Sequence, residues 1–185
     1  MSDDKKEKES KERISIFIDG SNFYNSTAVL NIVGKVNFQK LLDELTGNRE
    51  LVNAYYYVAP LDFETNPKKY WKHQRFLAML KEIPKFNVVL CTLKKIKKKD
   101  GSFEFVVKGD DARLIHDFIV GAYENLYDIA IIVSGDEDFA PMIKTAQRLG
   151  KKVENAYFSS SSSYALRRVC NQSIHLNKII SKIIN

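Results

Sequence analysis

The stretch Ile14-Ser-Ile-Phe-Ile-Asp-Gly-Ser-Asn22 sets the fold, and Ile129-Ala-Ile-Ile-Val-Ser-Gly-Asp-Glu-Asp138 repeats its pattern. Each is a short apolar run bounded by glycine and aspartate, the mark of a strand buried on both faces of a parallel sheet. In open parallel sheets, ligands bind outside the carboxyl ends of the strands. Asp19 sits at one such end, and Asp136 and Asp138 follow another through Ser134-Gly135. Between them, Lys108-Gly109-Asp110-Asp111 heads an amphipathic stretch. Two strand ends and one helix start can bring Asp19, Asp111, Asp136 and Asp138 to one place. Carboxylates that close repel unless protonated or neutralised by a cation. Oxygen-only ligands select hard ions, so the pattern predicts a magnesium or manganese site.

Outward from these two runs, periodicity supplies the remaining elements. Strands are expected at 14–19, 52–58, 86–93, 129–134 and 153–158, with a short edge strand at 174–176 before a terminal helix. Helices are expected at 37–46, 68–83, 111–125, 138–149 and 163–170. The 68–83 helix turns Tyr70, His73, Leu77 and Leu80 inward, and the 138–149 helix ends at Gly150. Residues 94–107 read as a hairpin turning at Asp100-Gly101. Strands alternating with helices mean α/β with a mainly parallel sheet. No internal repeat is present.

Composition bounds the function. At 185 residues, 44% hydrophobic and 28% charged, the chain reads as one globular domain at 14–185 behind a disordered charged tail at 1–13. No apolar run is long enough to span a membrane, and the N-terminus lacks a signal-peptide core. Two cysteines, Cys91 and Cys170, suit a reducing cytoplasm and have no metal-ligand spacing. The tail carries five basic and five acidic groups, so the whole net charge of +6 rests on residues 14–185. A basic body around a carboxylate centre favours a polyanionic substrate. A homodimer is compatible with the sequence but not indicated by it.

Phe17-Ile-Asp19-Gly-Ser-Asn22-Phe-Tyr24, Lys108-Gly109-x-Asp111 and Ser134-Gly-Asp136-x-Asp138-Phe139 resemble the NYN domain, particularly its LabA-like branch. The resemblance runs from about residue 14 to 176, with Ser163-x-x-Leu166 similar to the family's last helix. It implies a PIN-like Rossmannoid three-layer sandwich and a metal-dependent ribonuclease acting on RNA. By that match Asp19, Asp111 and Asp136 would hold the principal ion, with Asp138 and Asp117 shaping the site or a second ion. Two departures stand out. Asp110 replaces a residue usually apolar in the family, which leaves Asp110 and Asp111 as competing ligands. Asn171 stands where the family often has Asp.

Each motif also has a plainer reading. Asp19 can cap the turn after its strand, Asn22 can cap a helix instead of holding a phosphate, and Asp138 can cap the helix that starts there. Ser21 joins Asn22 as a candidate substrate contact. Ser134 and Gly135 would let the backbone approach a phosphate, and Lys108 would neutralise developing charge. Lys97, Lys98 and Lys99, with Lys94 and Lys95, are either a solvated hairpin tip or, with Lys68, Lys72 and Arg75, an RNA-tracking surface. Tyr55, Tyr56 and Tyr57 read as core, and His73, His116 and His175 form no ligand pattern. A haloacid-dehalogenase phosphatase needs a second Asp where Ser21 stands. The rival class is a nucleic-acid-binding or regulatory module with a weak or silent metal site.

Overall fold

The computed structural model describes residues 10–98, 101 and 103–185, with the backbone alone for Lys95 and residues 103–108. The chain opens with β1 (Arg13–Asp19), α1 (Gly20–Val29), α2 (Phe38–Thr46), β2 (Glu50–Val58), α3 (Pro67–Lys81) and β3 (Phe86–Leu90). A hairpin follows, β4 (Thr92–Lys97) and β5 (Phe103–Lys108), then α4 (Asp110–Tyr123) and β6 (Ile129–Val133). A 3-10 turn at Glu137–Phe139 leads into α5 (Ala140–Arg148), β7 (Lys152–Tyr157), α6 (Tyr164–Val169), β8 (Gln172–His175) and α7 (Ile180–Ile183).

Six strands form one parallel sheet in the order β3-β2-β1-β6-β7-β8. From β1 the chain winds outward through β2 and β3, then returns to the other side of β1 through β6, β7 and β8. The strand order therefore reverses between β1 and β6, and their carboxyl ends flank the crevice that this topology opens.

Alternation along β1 sorts the core into two layers. Ile14, Ile16 and Ile18 pack with Phe23, Leu41, Leu42, Leu45, Leu77 and Leu80 under α1, α2 and α3. Phe17 faces the opposite way, into Leu114, Phe118, Ile143 and Leu166 of α4, α5 and α6. The result is the helix–sheet–helix sandwich expected from the sequence. Asp19 shares the parity of Phe17, so it emerges on the α4 side. Among the described residues, no helix is long and apolar enough to cross a membrane.

Several expectations are revised. The 14–19 strand starts one residue earlier, because Arg13 is held by Asp128 through its guanidinium at 2.8 Å. Residues 20–29 are a helix that periodicity did not reveal. The expected 86–93 strand breaks at Cys91, whose amide makes a last bond to Val58 O at 2.9 Å before the chain leaves the main sheet. The next strand, β4, then pairs only with β5. In α3 only Leu77 and Leu80 are fully buried; Tyr70 and His73 are half-buried. The turn residue Asp100 and most of the tail lie outside the described residues, as does Lys99.

Phe118 is fully buried, with its ring 4.8 Å from that of Phe17 and 6.1 Å from that of Tyr127. Phe118→Ala should cost about 3–5 kcal/mol in urea unfolding. Tyr123→Ala, on the same helix but 79% exposed, should change stability by no more than about 0.5 kcal/mol. Equal losses in the two variants would contradict this layering.

Candidate active site

Asp19 ends β1 and caps α1. Its Oδ1 accepts the Asn22 amide at 3.0 Å, and its Oδ2 accepts the Ser134 hydroxyl at 2.9 Å. The capping and the ligand readings of Asp19 thus describe one buried carboxylate. Gly20 follows because a Cβ there would lie 2.3 Å from Tyr57 O. Ser134, at the end of β6, donates to Asp19 and accepts the Asp136 amide at 3.1 Å. Its carbonyl takes the Asn155 amide at 2.8 Å. One hydroxyl therefore ties the β1 end to the β6 loop.

Asn22 is the second tie. Its Oδ1 accepts the Gly135 amide at 3.2 Å and the Ser161 hydroxyl at 3.0 Å, while Ser161 in turn accepts from Ser26 at 2.8 Å. Gly135 is glycine because a Cβ would stand 1.5 Å from Ser161 O. Its amide is engaged and its Cα covered, so the requirement for glycine comes from the Ser161 backbone. Ser26 and Ser161 escaped the sequence reading. The only available signal was the serine run 159–163, which reads as a loop.

Asp136 caps the 3-10 turn, accepting the Asp138 amide at 3.0 Å on Oδ1. The cap expected of Asp138 therefore falls to Asp136, and Asp138 stands exposed beside it. Glu137, also exposed, accepts the Ser163 hydroxyl at 3.1 Å. Ser21 is exposed in the first turn of α1.

Asp110 and Asp111 occupy the first turn of α4, after Gly109 at φ +85°. Asp117, two turns further on, is taken up elsewhere. It accepts from Tyr57 Oη at 3.2 Å and Arg113 Nε at 3.2 Å, with His116 Nδ1 at 3.0 Å. Asn171 is likewise structural, accepting the Val153 amide at 2.8 Å and Gln147 Nε2 at 3.1 Å. Lys108 ends β5 next to Gly109. Lys97 and Lys98 are exposed at the far end of β4, about 17 Å of strand from Thr92 at the hairpin base.

The NYN domain family matches residues 13–177. The chain belongs to that family. No curated protein matches it. A protein of unknown function from Vibrio parahaemolyticus RIMD 2210633 is similar in structure, with TM-score 0.68 and 24% identity over 96% of this chain and 98% of that one. MurG from Acinetobacter baumannii has TM-score 0.39 and 10% identity over 88% of this chain and 40% of its own. The likeness to the Vibrio protein is one of fold alone; it is membership of the NYN family that points to a PIN-like fold.

The electrostatics of this NYN domain gather five acids into one field. Burial raises the Asp19 carboxyl above its ordinary range, opposed by the Asn22 and Ser134 hydrogen bonds and reinforced by the charges of Asp110 and Asp136. Asp111, solvent-accessible but desolvated on one side, is pushed up to about 6, first by that desolvation and then by Asp110, Asp19, Asp136 and Asp138. Among the described residues no three His, Cys, Asp or Glu side chains stand within coordinating reach of one ion. The acids share a field without forming a ready-made cage.

A pH profile of stability tests that field. Asp111 titrates near 3.8 ordinarily and at about 6 in the fold. A carboxyl whose pKa rises on folding contributes its stability fully below the lower value, and that contribution is lost as pH climbs through the upper one. Urea unfolding of metal-free protein should therefore show stability falling between about pH 4 and pH 6. Asp111→Asn should flatten that fall. A variant with the wild-type profile would remove Asp111 from the cluster.

Proposed function

We propose that this NYN domain is a divalent-metal-dependent ribonuclease that hydrolyses phosphodiester bonds in single-stranded RNA, using magnesium or manganese. The observation that carries the reading is the five-acid field of Asp19, Asp110, Asp111, Asp136 and Asp138 at the point where the strand order reverses. Within the family we assign the chain to the LabA-like branch on the motifs around Asp19, Asp111 and Asp136. We place it in a reducing cytoplasm, where its two cysteines, both free, would persist.

The donor set fits a hard cation. All five groups are carboxylates, their mutual repulsion is relieved by positive charge, and magnesium commonly keeps several waters while touching only one or two carboxylates. Asp19, Asp136 and Asp111 would hold the ion, directly or through water, with Asp110 competing for the place of Asp111 and Asp138 at the rim. Asp117 would help indirectly, fixing α4 against β2 through Tyr57. When bound, the ion supplies Lewis-acid chemistry, polarising the scissile phosphate and acidifying an attacking water.

The chain's own groups do the rest. Ser134 and the Asn22 amide fix the orientation of the Asp19 carboxylate. With Asn22 Oδ1 spent on Gly135 and Ser161, its Nδ2 is left to donate to a phosphate oxygen, beside the Ser21 hydroxyl. Lys108 would balance charge on the phosphate, and Lys97, Lys98 and Lys99 would attract the RNA backbone from the hairpin. One observation favours a second reading, an RNA-binding NYN module with a silent metal site: among the described residues no three acids converge within direct reach.

Two measurements separate these. Asp19→Asn and Asp136→Asn should each abolish manganese-dependent cleavage of a mixed RNA pool while RNA binding persists, because phosphate contacts come mainly from Lys and Arg. Wild-type turnover in Asp19→Asn would overturn the assignment, and no cleavage by wild type with either metal would favour the silent module.

Thermal shift gives the second. Asparagine also caps helices, so Asp136→Asn keeps the cap on Asp138 and removes only charge. Without metal the variant should melt above wild type. Manganese at 100 times its dissociation constant should stabilise wild type by about 2.7 kcal/mol and the variant far less, so the ranking crosses. A variant that melts lower in both conditions would make Asp136 a structural cap alone.

A further inference from the structure

The loop between β2 and α3 leaves the sheet edge that carries Asp19: Tyr57 lies in register with Asp19, and the strand ends one residue later. Just beyond, Phe63, Tyr70 and Trp71 form an aromatic cluster with ring centroids 5.4, 6.3 and 5.3 Å apart and planes 80° to 85° from parallel. Phe63 is 49% exposed and Trp71 58%. A cluster built only to stabilise the fold would bury those rings, since aromatic side chains earn their energy by leaving water.

The charges around the cluster indicate what it meets. Lys68, Lys69, Lys72 and Arg75 of α3 are all exposed, and none pairs with a carboxylate among the described residues. Lys68 precedes Trp71 by three residues and Arg75 follows it by four, so both cations flank the indole on the helix surface. Asp62, in the adjoining loop, is turned to the Thr65 amide at 2.8 Å and hydroxyl at 2.7 Å. Exposed aromatic rings bordered by cations are the combination that binds single-stranded nucleic acid, the bases stacking while the cations follow the backbone. A duplex has its bases already stacked and offers them poorly to such a surface.

We propose that Phe63 and Trp71 form a base-stacking platform for single-stranded RNA, with Lys68, Lys72 and Arg75 holding the adjacent phosphates. The proposal deepens the ribonuclease reading by giving its substrate a second anchoring point on the same sheet edge.

Trp71 is the sole tryptophan of the chain, so its emission reports on this surface alone. Titrating the full-length protein with dodecauridylate in metal-free buffer should quench that emission saturably, and a 12-base-pair RNA duplex should quench it several-fold less. Phe63→Ala and Trp71→Ala should each weaken binding of labelled dodecauridylate about tenfold by anisotropy, without lowering the melting temperature. Trp71→Phe should restore most of the affinity. Lys72→Gln should flatten the salt slope by about 0.7.

Absence of saturable quenching, equal quenching by the duplex, or wild-type affinity in Trp71→Ala would overturn the platform. Manganese-dependent cleavage by a protein whose Trp71 ignores dodecauridylate would overturn it and leave the ribonuclease reading intact. Quenching without cleavage would do the reverse.

Discussion

The hydrogen bond from Ser134 to Asp19 is the constraint on which the site depends. It joins the carboxyl ends of β1 and β6, adjacent strands that belong to opposite halves of the winding. Through the same hydroxyl it positions the Asp136 amide. A buried carboxylate without donors would be expensive, and here the Asn22 amide and the Ser134 hydroxyl provide them. The strand ends, the start of α1 and the β6 loop are thereby locked as one unit around a charge that burial disfavours.

That lock works against the electrostatics of its surroundings. Asp110 and Asp111 gain from the amino end of α4, where the helix dipole favours negative charge, and Asp136 gains from capping its turn. Burial, and then the charges of the neighbouring acids, nevertheless raise the proton affinity of Asp19 and Asp111. Local preferences and the shared field conflict, the usual signature of a site whose arrangement serves function more than stability. Asp117 illustrates the contrast. Although it lies on the same helix, it has Tyr57, Arg113 and His116 as partners.

The rim of the site is set by parts of the chain remote in sequence. Ser161 comes in from the end of β7 to meet Asn22 and to close over Gly135. The β4–β5 hairpin, detached from the main sheet, begins where β3 ends and returns the chain to α4. The cations and exposed rings of α3 enter from the β2 side. A basic surface assembled from separate segments in this way can guide a polyanion toward an acidic centre only if a counter-charge occupies that centre.

The sequence by itself determined the α/β class, the two central strands and the acids at their ends, because buried parallel strands write themselves as continuous apolar runs and their carboxyl ends are where ligand groups collect. It also placed α2 and α4, whose apolar spacing is strongly helical. It did not disclose α1. Gly20-Ser-Asn-Phe-Tyr-Asn-Ser-Thr is poor in intrinsic helix formers, and the segment is helical because Asp19 caps it and Phe23 packs against Phe38 and Phe158. The break at Cys91 was equally hidden, since β-forming residues continue on both sides and only the sheet's last rung decides where the chain departs. Which acids share a field, and which, like Asp117, are drawn into other bonds, depends on contacts between segments remote in sequence, Ser134 meeting Asp19 across 115 positions and Tyr57 meeting Asp117 across 60. One-dimensional spacing carries no record of those distances. Tertiary packing alone decided them.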